Sequence, residues 1–85
     1  MNLSNAVIEL DLHGLTVDQA EKRVERAVAS ADGGVYIIRV IHGFNRGTAI
    51  RTMLNETYGR GYDRKVIRVR PGSNPGTTEL MLKEM

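Results

Sequence analysis

The dipeptide His-Gly occurs twice, as His13-Gly14 and His42-Gly43, 29 residues apart. Each copy closes an apolar run and opens onto a helical pattern, and the likeness extends to Ala20 and Ala49. The spacing is close to the roughly 30 residues of one strand–helix–strand unit. Such a unit narrows the fold sharply. Its strands pair in parallel through right-handed crossovers, and its helices pack on the sheet they connect.

The local patterns agree. Ile8, Leu10 and Leu12 alternate with Glu9 and Asp11, the period of a half-buried strand. Thr16 and Gln19 have the spacing of a capping box. Val17, Ala20, Val24, Ala27, Val28 and Ala31 follow at helical spacing. Asp32-Gly33-Gly34 predicts the stop, because glycine accepts the left-handed conformation many helix ends use. Val35 to Ile41 is apolar on both faces except at Arg39, which predicts an interior strand. Asn45 or Thr48 is the candidate N-cap of a second helix, marked by Ala49, Ile50, Met53, Leu54 and Tyr58 and ended by Gly59. A third strand is expected from about Lys65 to Arg70, a turn-rich loop over Pro71 to Gly76, and a last strand over Thr78 to Lys83.

The expected fold class is therefore α/β. It is a two-layer β-α-β-α-β-β sandwich: a mixed four-stranded sheet with two helices on one face and an antiparallel last strand. The other sheet face is left open, which suits a surface-binding protein or a domain of a larger assembly. Eighty-five residues imply one domain, and 41% hydrophobic with 26% charged residues excludes wholesale disorder. With no cysteine, disulfide scaffolds, thiolate zinc sites and thiol catalysis are excluded together. The chain fits a reducing cytoplasm. It has no apolar run long enough to cross a membrane, and Met1 to Ala6 lack the order of a signal peptide.

Charge is unevenly spread. From Arg39 to Arg70, eight basic residues stand against Glu56 and Asp63, whereas the remainder carries four basic and eight acidic residues. Arg39, Arg60, Arg64, Lys65, Arg68 and Arg70 are the candidate polyanion surface. The alternative is an ordinary solvated face. The paired histidines point the same way. With parallel strands they share the carboxyl edge of the sheet, where open α/β sheets bind ligands. Helix N-termini there offer unpaired N–H groups to a phosphate, and Gly14 and Gly43 let it approach the backbone. The plainer alternative is that each histidine ends a strand and caps a helix. Strand parity puts Asp11 and His13 on the polar face of the first strand and His42 among the apolar positions of the second, and leaves open whether the turns restore a common direction.

Leu10-Asp11-Leu12-His13-Gly14-Leu15 resembles the opening motif of the Smr (small MutS-related) domain, and His42-Gly43 resembles that family's second loop. Gly76-Thr77-Thr78 resembles its closing motif. The resemblance covers about residues 7 to 83 and is to a stand-alone, single-domain member. Here the second loop reads His42-Gly43-Phe44-Asn45-Arg46-Gly47-Thr48, one residue longer than usual, with Asn45 where the family has a second glycine. The resemblance implies the fold above, similar to the C-terminal domain of the third bacterial initiation factor. It also implies nucleic-acid binding and, for several relatives, structure-directed rather than sequence-directed nicking of DNA or RNA.

Three functions are open. An endonuclease would use Asp11 to orient His13 or bind a divalent cation, His13 as base or acid, His42 as its partner and Arg46 as a clamp on the phosphate. Gly14, Gly43, Asn45, Arg46 and Gly47 would form the phosphate-binding turn. Magnesium or manganese is the cation such a nuclease admits; the residues define no metal site, and no other cofactor is indicated. A non-catalytic nucleic-acid module needs only the basic stretch, the glycine loops and the open face. Phe44 and Tyr62 are its candidate stacking residues, while Tyr36 and Tyr58 belong to the core. The third alternative is a protein-interaction module docking on a ribosome or a repair partner. DNA against RNA, and repair against translation quality control, are not legible.

Overall fold

A computed structural model of the chain describes residues 6–44, 48–61 and 63–83. The elements run β1 (Val7–Asp11), α1 (Val17–Ser30), β2 (Ile37–Ile41), α2 (Thr48–Tyr58), β3 (Arg68–Pro71) and β4 (Thr77–Met81). They form one four-stranded sheet in the order β1-β2-β4-β3. β1 and β2 pair in parallel, and β4 runs antiparallel to both β2 and β3. The β-α-β-α-β-β sandwich and its antiparallel last strand are as expected. No described helix is long and apolar enough to cross a membrane.

One pairing departs from expectation. A helix joins β2 to β3, yet these strands are not neighbours, because β4 inserts between them. The reason lies in their composition. β4 is buried along its whole length. β3 is short, carries exposed Arg68 and Arg70, and ends in Pro71, which has no N–H to donate. Short, charged, proline-ended strands belong at sheet edges.

Ile8, Leu10, Leu12, Ile38, Val40, Val69 and Leu80 share one core with Ala20, Val24 and Val28 of α1 and with Ile50, Met53, Leu54 and Tyr58 of α2. These strand residues have one parity, so both helices lie on one face. The other parity places Glu9, Arg39, Glu79 and Arg70 in a single row across all four strands.

α1 opens with the expected capping box. The Gln19 N–H donates to Thr16 Oγ1, and the Thr16 N–H donates to Gln19 Oε1. Its end differs from expectation. Gly33 and Gly34 are not in the left-handed region. Instead Ala31 leaves the helix in an extended conformation. The Lys65 ammonium donates to the carbonyls of Val28 at 2.8 Å, Ala29 at 3.3 Å and Ala31 at 2.9 Å. A cation at the negative end of the helix dipole thus replaces the glycine cap. α2 does end at glycine: a β-carbon on Gly59 would lie 2.4 Å from the Asn55 carbonyl oxygen. Thr48 is the first residue of α2, and Asn45 lies outside the described residues.

Candidate active site

The carboxyl ends of β1 and β2 lie side by side, and the Leu12 N–H extends their ladder by donating to the Ile41 carbonyl at 2.8 Å. Beyond Leu12 the chain turns through His13-Gly14, with the Leu15 N–H returning to the Leu12 carbonyl and Gly14 at φ +83°. Beyond Ile41 it turns through His42-Gly43, with Gly43 at φ +85°. A β-carbon added to Gly43 would lie 3.8 Å from that of His13. The two His-Gly turns therefore lie side by side.

The third motif closes the arrangement. The N–H groups of His42 and Gly43 both donate to the Gly76 carbonyl, at 2.9 and 3.0 Å. A β-carbon on Gly76 would lie 3.4 Å from Gly43 Cα, so glycine stands where two backbones meet. Sequence reading marked Gly76-Thr77-Thr78 only through its family likeness. The structure adds its physical job, which is to hold the second His-Gly turn.

The histidines share an edge but differ in environment: the turns do not restore a common direction. His13 projects into solvent, its side chain 71% exposed. Its Nδ1–H donates to Asp11 Oδ1 at 2.5 Å, and its backbone N–H donates to the same oxygen at 3.2 Å. A carboxylate can only accept, so in the neutral ring the proton sits on Nδ1 and Nε2 carries the lone pair. These two hydrogen bonds from His13 hold the Asp11 carboxyl below the usual aspartate range, the side-chain bond being the stronger cause.

His42 is buried, 2% exposed. Its Nδ1–H donates to the Gly43 carbonyl at 3.0 Å, and Nε2 lies 2.8 Å from Thr78 Oγ1. The carbonyl fixes the tautomer, so the Thr78 hydroxyl donates to Nε2. Both ring nitrogens are occupied by the fold. Thr78 was missed in the sequence as the partner of His42. Its signal was there: Thr78 has the parity that faces the helices, in register with Val40.

The candidate cations divide similarly. The Arg39 guanidinium donates to Glu79 at 3.0 Å and to Glu9 at 3.2 Å, and that of Arg70 donates to Glu79 at 2.8 Å. Burial pushes the Glu79 carboxyl up, but the bonds from Arg39 and Arg70 outweigh it and hold the group below its ordinary value. Lys65 caps α1. Arg60 and Arg64 are exposed around the α2–β3 connection, and Arg68 is exposed on β3. Asn45, Arg46, Gly47 and Tyr62 lie outside the described residues. Of the glycines in the expected phosphate turn, Gly43 has its N–H on Gly76. The N-terminus of α1 is capped by its own Thr16 and carries Asp18 in its first turn, which disfavours an anion there.

Among the described residues, no group of three or more His, Asp or Glu side chains could hold a metal ion. Asp11 alone is a thin donor set for a hard divalent cation, which takes about six oxygens.

A family model for the Smr domain matches residues 10–76, from the strand end that carries Asp11 to the glycine that holds the second turn. The chain belongs to the Smr domain family. The crystal structure of the Smr domain of Thermus thermophilus MutS2 is similar to it, with a TM-score of 0.77 and 30% identity over 91% of this chain and 99% of that one. No curated protein matches the chain. In this Smr domain the three motifs of the sequence meet at one edge of the sheet, with the Asp11–His13 pair outermost.

Proposed function

We propose that this Smr domain binds DNA or RNA by backbone and shape, and that Asp11 and His13 are the catalytic pair with which it nicks a strand. The observation that carries the reading is the exposed Asp11–His13 pair. No core contact explains it, and its geometry leaves Nε2 of the imidazole facing solvent. His13 Nε2 takes the proton of a water, or of the neighbouring ribose 2′-hydroxyl in RNA. The freed oxygen bonds to phosphorus, the P–O bond to the leaving oxygen breaks, and a proton returns to that oxygen. Asp11 fixes the ring's tautomer and orientation, and its charge stabilises the imidazolium that forms. His42, its nitrogens both engaged, serves as support beneath the turn.

Arg60 and Arg64, exposed around the α2–β3 connection at the other end of the sheet, would hold the phosphate backbone at a distance from the pair. With few aromatics, recognition rests on backbone and shape. A protein-docking role is the alternative, favoured by the neutralised Glu9–Arg39–Glu79–Arg70 row on the open face. The deciding experiment incubates the protein with branched DNA, duplex DNA and structured RNA. Each is tested with magnesium, manganese or chelator, and new strand ends are scored. Cleavage lost in Asp11→Asn supports the reading; binding to none of the three substrates overturns it.

A further inference from the structure

We infer that Phe44 is a stacking platform for an unpaired nucleobase next to the scissile phosphate. The substrate class is then a strand with an unpaired nucleotide rather than a continuous duplex. The inference rests on the nucleic-acid reading above.

Phe44 is 65% exposed, more than any other large hydrophobic side chain among the described residues. The other described aromatic rings are engaged. Tyr58 is buried in the core, and burial pushes its hydroxyl up to about 12, helped by the nearby Asp63 charge. Tyr36 is half-buried, with the Lys83 ammonium 5.4 Å from its ring centroid.

The backbone that carries Phe44 is held. Gly43, the residue before it, donates to Gly76 through its N–H and accepts from the His42 ring through its carbonyl. A ring on a pinned root binds without the cost of ordering a loop. A β-carbon on that same Gly43 would lie 3.8 Å from that of His13, so the two turns are neighbours. A base stacked on Phe44 is thereby held at the sheet edge that carries the Asp11–His13 pair.

Within a duplex, base faces are covered by their neighbours. A face becomes available where a nucleotide is unpaired, and aromatic stacking then binds it without regard to sequence. Among the described residues the other exposed large hydrophobic side chains are Val17 and Ile67. Ile67, also exposed, sits at the far end of the sheet, where its N–H donates to the Met81 carbonyl.

The test measures binding of a single strand, a duplex with one bulged nucleotide, and a continuous duplex. Wild type, Phe44→Leu and Phe44→Trp are compared. Stacking on an aromatic is worth on the order of tenfold per base, so Phe44→Leu should lose about tenfold on the first two ligands and less than about twofold on the third. Phe44→Trp should bind like wild type. Since the chain has no other tryptophan, its fluorescence should be quenched by the single strand and not by the duplex. Equal affinities of wild type and Phe44→Leu for all three ligands would overturn the stacking role while leaving nucleic-acid binding intact; a protein-docking role for the ring gives this outcome. An equal loss on all three also overturns it. Wild type binding none of them overturns the nucleic-acid reading and the stacking role together.

Discussion

The two His-Gly turns occupy equivalent places in successive strand–helix units, yet the fold treats them oppositely. His13 stands in solvent on a single carboxylate, while His42 is buried with both nitrogens bonded. Strand parity makes the difference. His13 follows Leu12, which faces the helices, so it turns away from them. His42 follows Ile41, which faces away, so it turns inward. A repeated motif therefore does not imply a repeated role, because a shift of one residue in the strand exchanges core for solvent.

The sharpest way to break this contrast is to remove each ring in turn. His42→Ala should cost roughly 3 kcal/mol of unfolding free energy in urea titrations, since it opens a cavity and strands the Thr78 hydroxyl. A loss below about 1 kcal/mol, the level of an ordinary surface substitution, would show that the turn does not depend on it. His13→Ala should reverse the pattern. Its stability should change by less than about 1 kcal/mol. Strand cleavage should fall at least about a hundredfold, the lower end for acid–base catalysis. Unfolding on loss of His13, or unchanged cleavage, would return that histidine to the structural class.

The carboxylates offer a finer comparison. Asp11 and Glu79 both titrate below their ordinary values, but Glu79 is only 8% exposed and sits between two arginines. The stability Glu79 contributes is complete above the ordinary glutamate range near pH 4 and disappears as pH falls through its lowered value. Unfolding midpoints measured from pH 6 to pH 2 should therefore fall less steeply in Glu79→Gln than in wild type. Asp11→Asn should leave most of that slope in place.

The smallest effect separates neighbouring cations. Neutralising exposed Arg60 and Arg64 together should lower the slope of log K against log salt by roughly 1 to 2. Lys65→Met should leave the slope unchanged and instead weaken the end of α1 by about 1 kcal/mol, the scale of a lost cap. A reduced slope in Lys65→Met would put that ammonium on the binding surface.

Much of this was legible in the sequence, for local reasons. Alternation in Ile8-Leu10-Leu12 and around Ile38-Val40 placed the strand residues on their faces, but left open which way each histidine turns; Thr16 with Gln19 marked the start of α1. What was illegible depends on contacts distant along the chain. Glu9 and Glu79 come from the acidic portions, yet fold onto Arg39 and Arg70 and cancel charge that a linear tally assigns to a basic surface. Lys65 reaches back to the carbonyls of α1. No periodicity announces that β4 slips between β2 and β3; only the burial its residues demand, against the charge and proline of β3, explains it.

The Gly76 carbonyl that receives both N–H groups of the second turn has a consequence for the timing of assembly. It comes immediately before β4, the last strand of this sheet in chain order and one that pairs with β2 across some forty intervening residues. A nascent chain halted before Gly76 carries Asp11, His13, His42, Gly14 and Gly43, but not the backbone acceptor that holds the second turn. Completion of the edge is thereby tied to completion of the sheet.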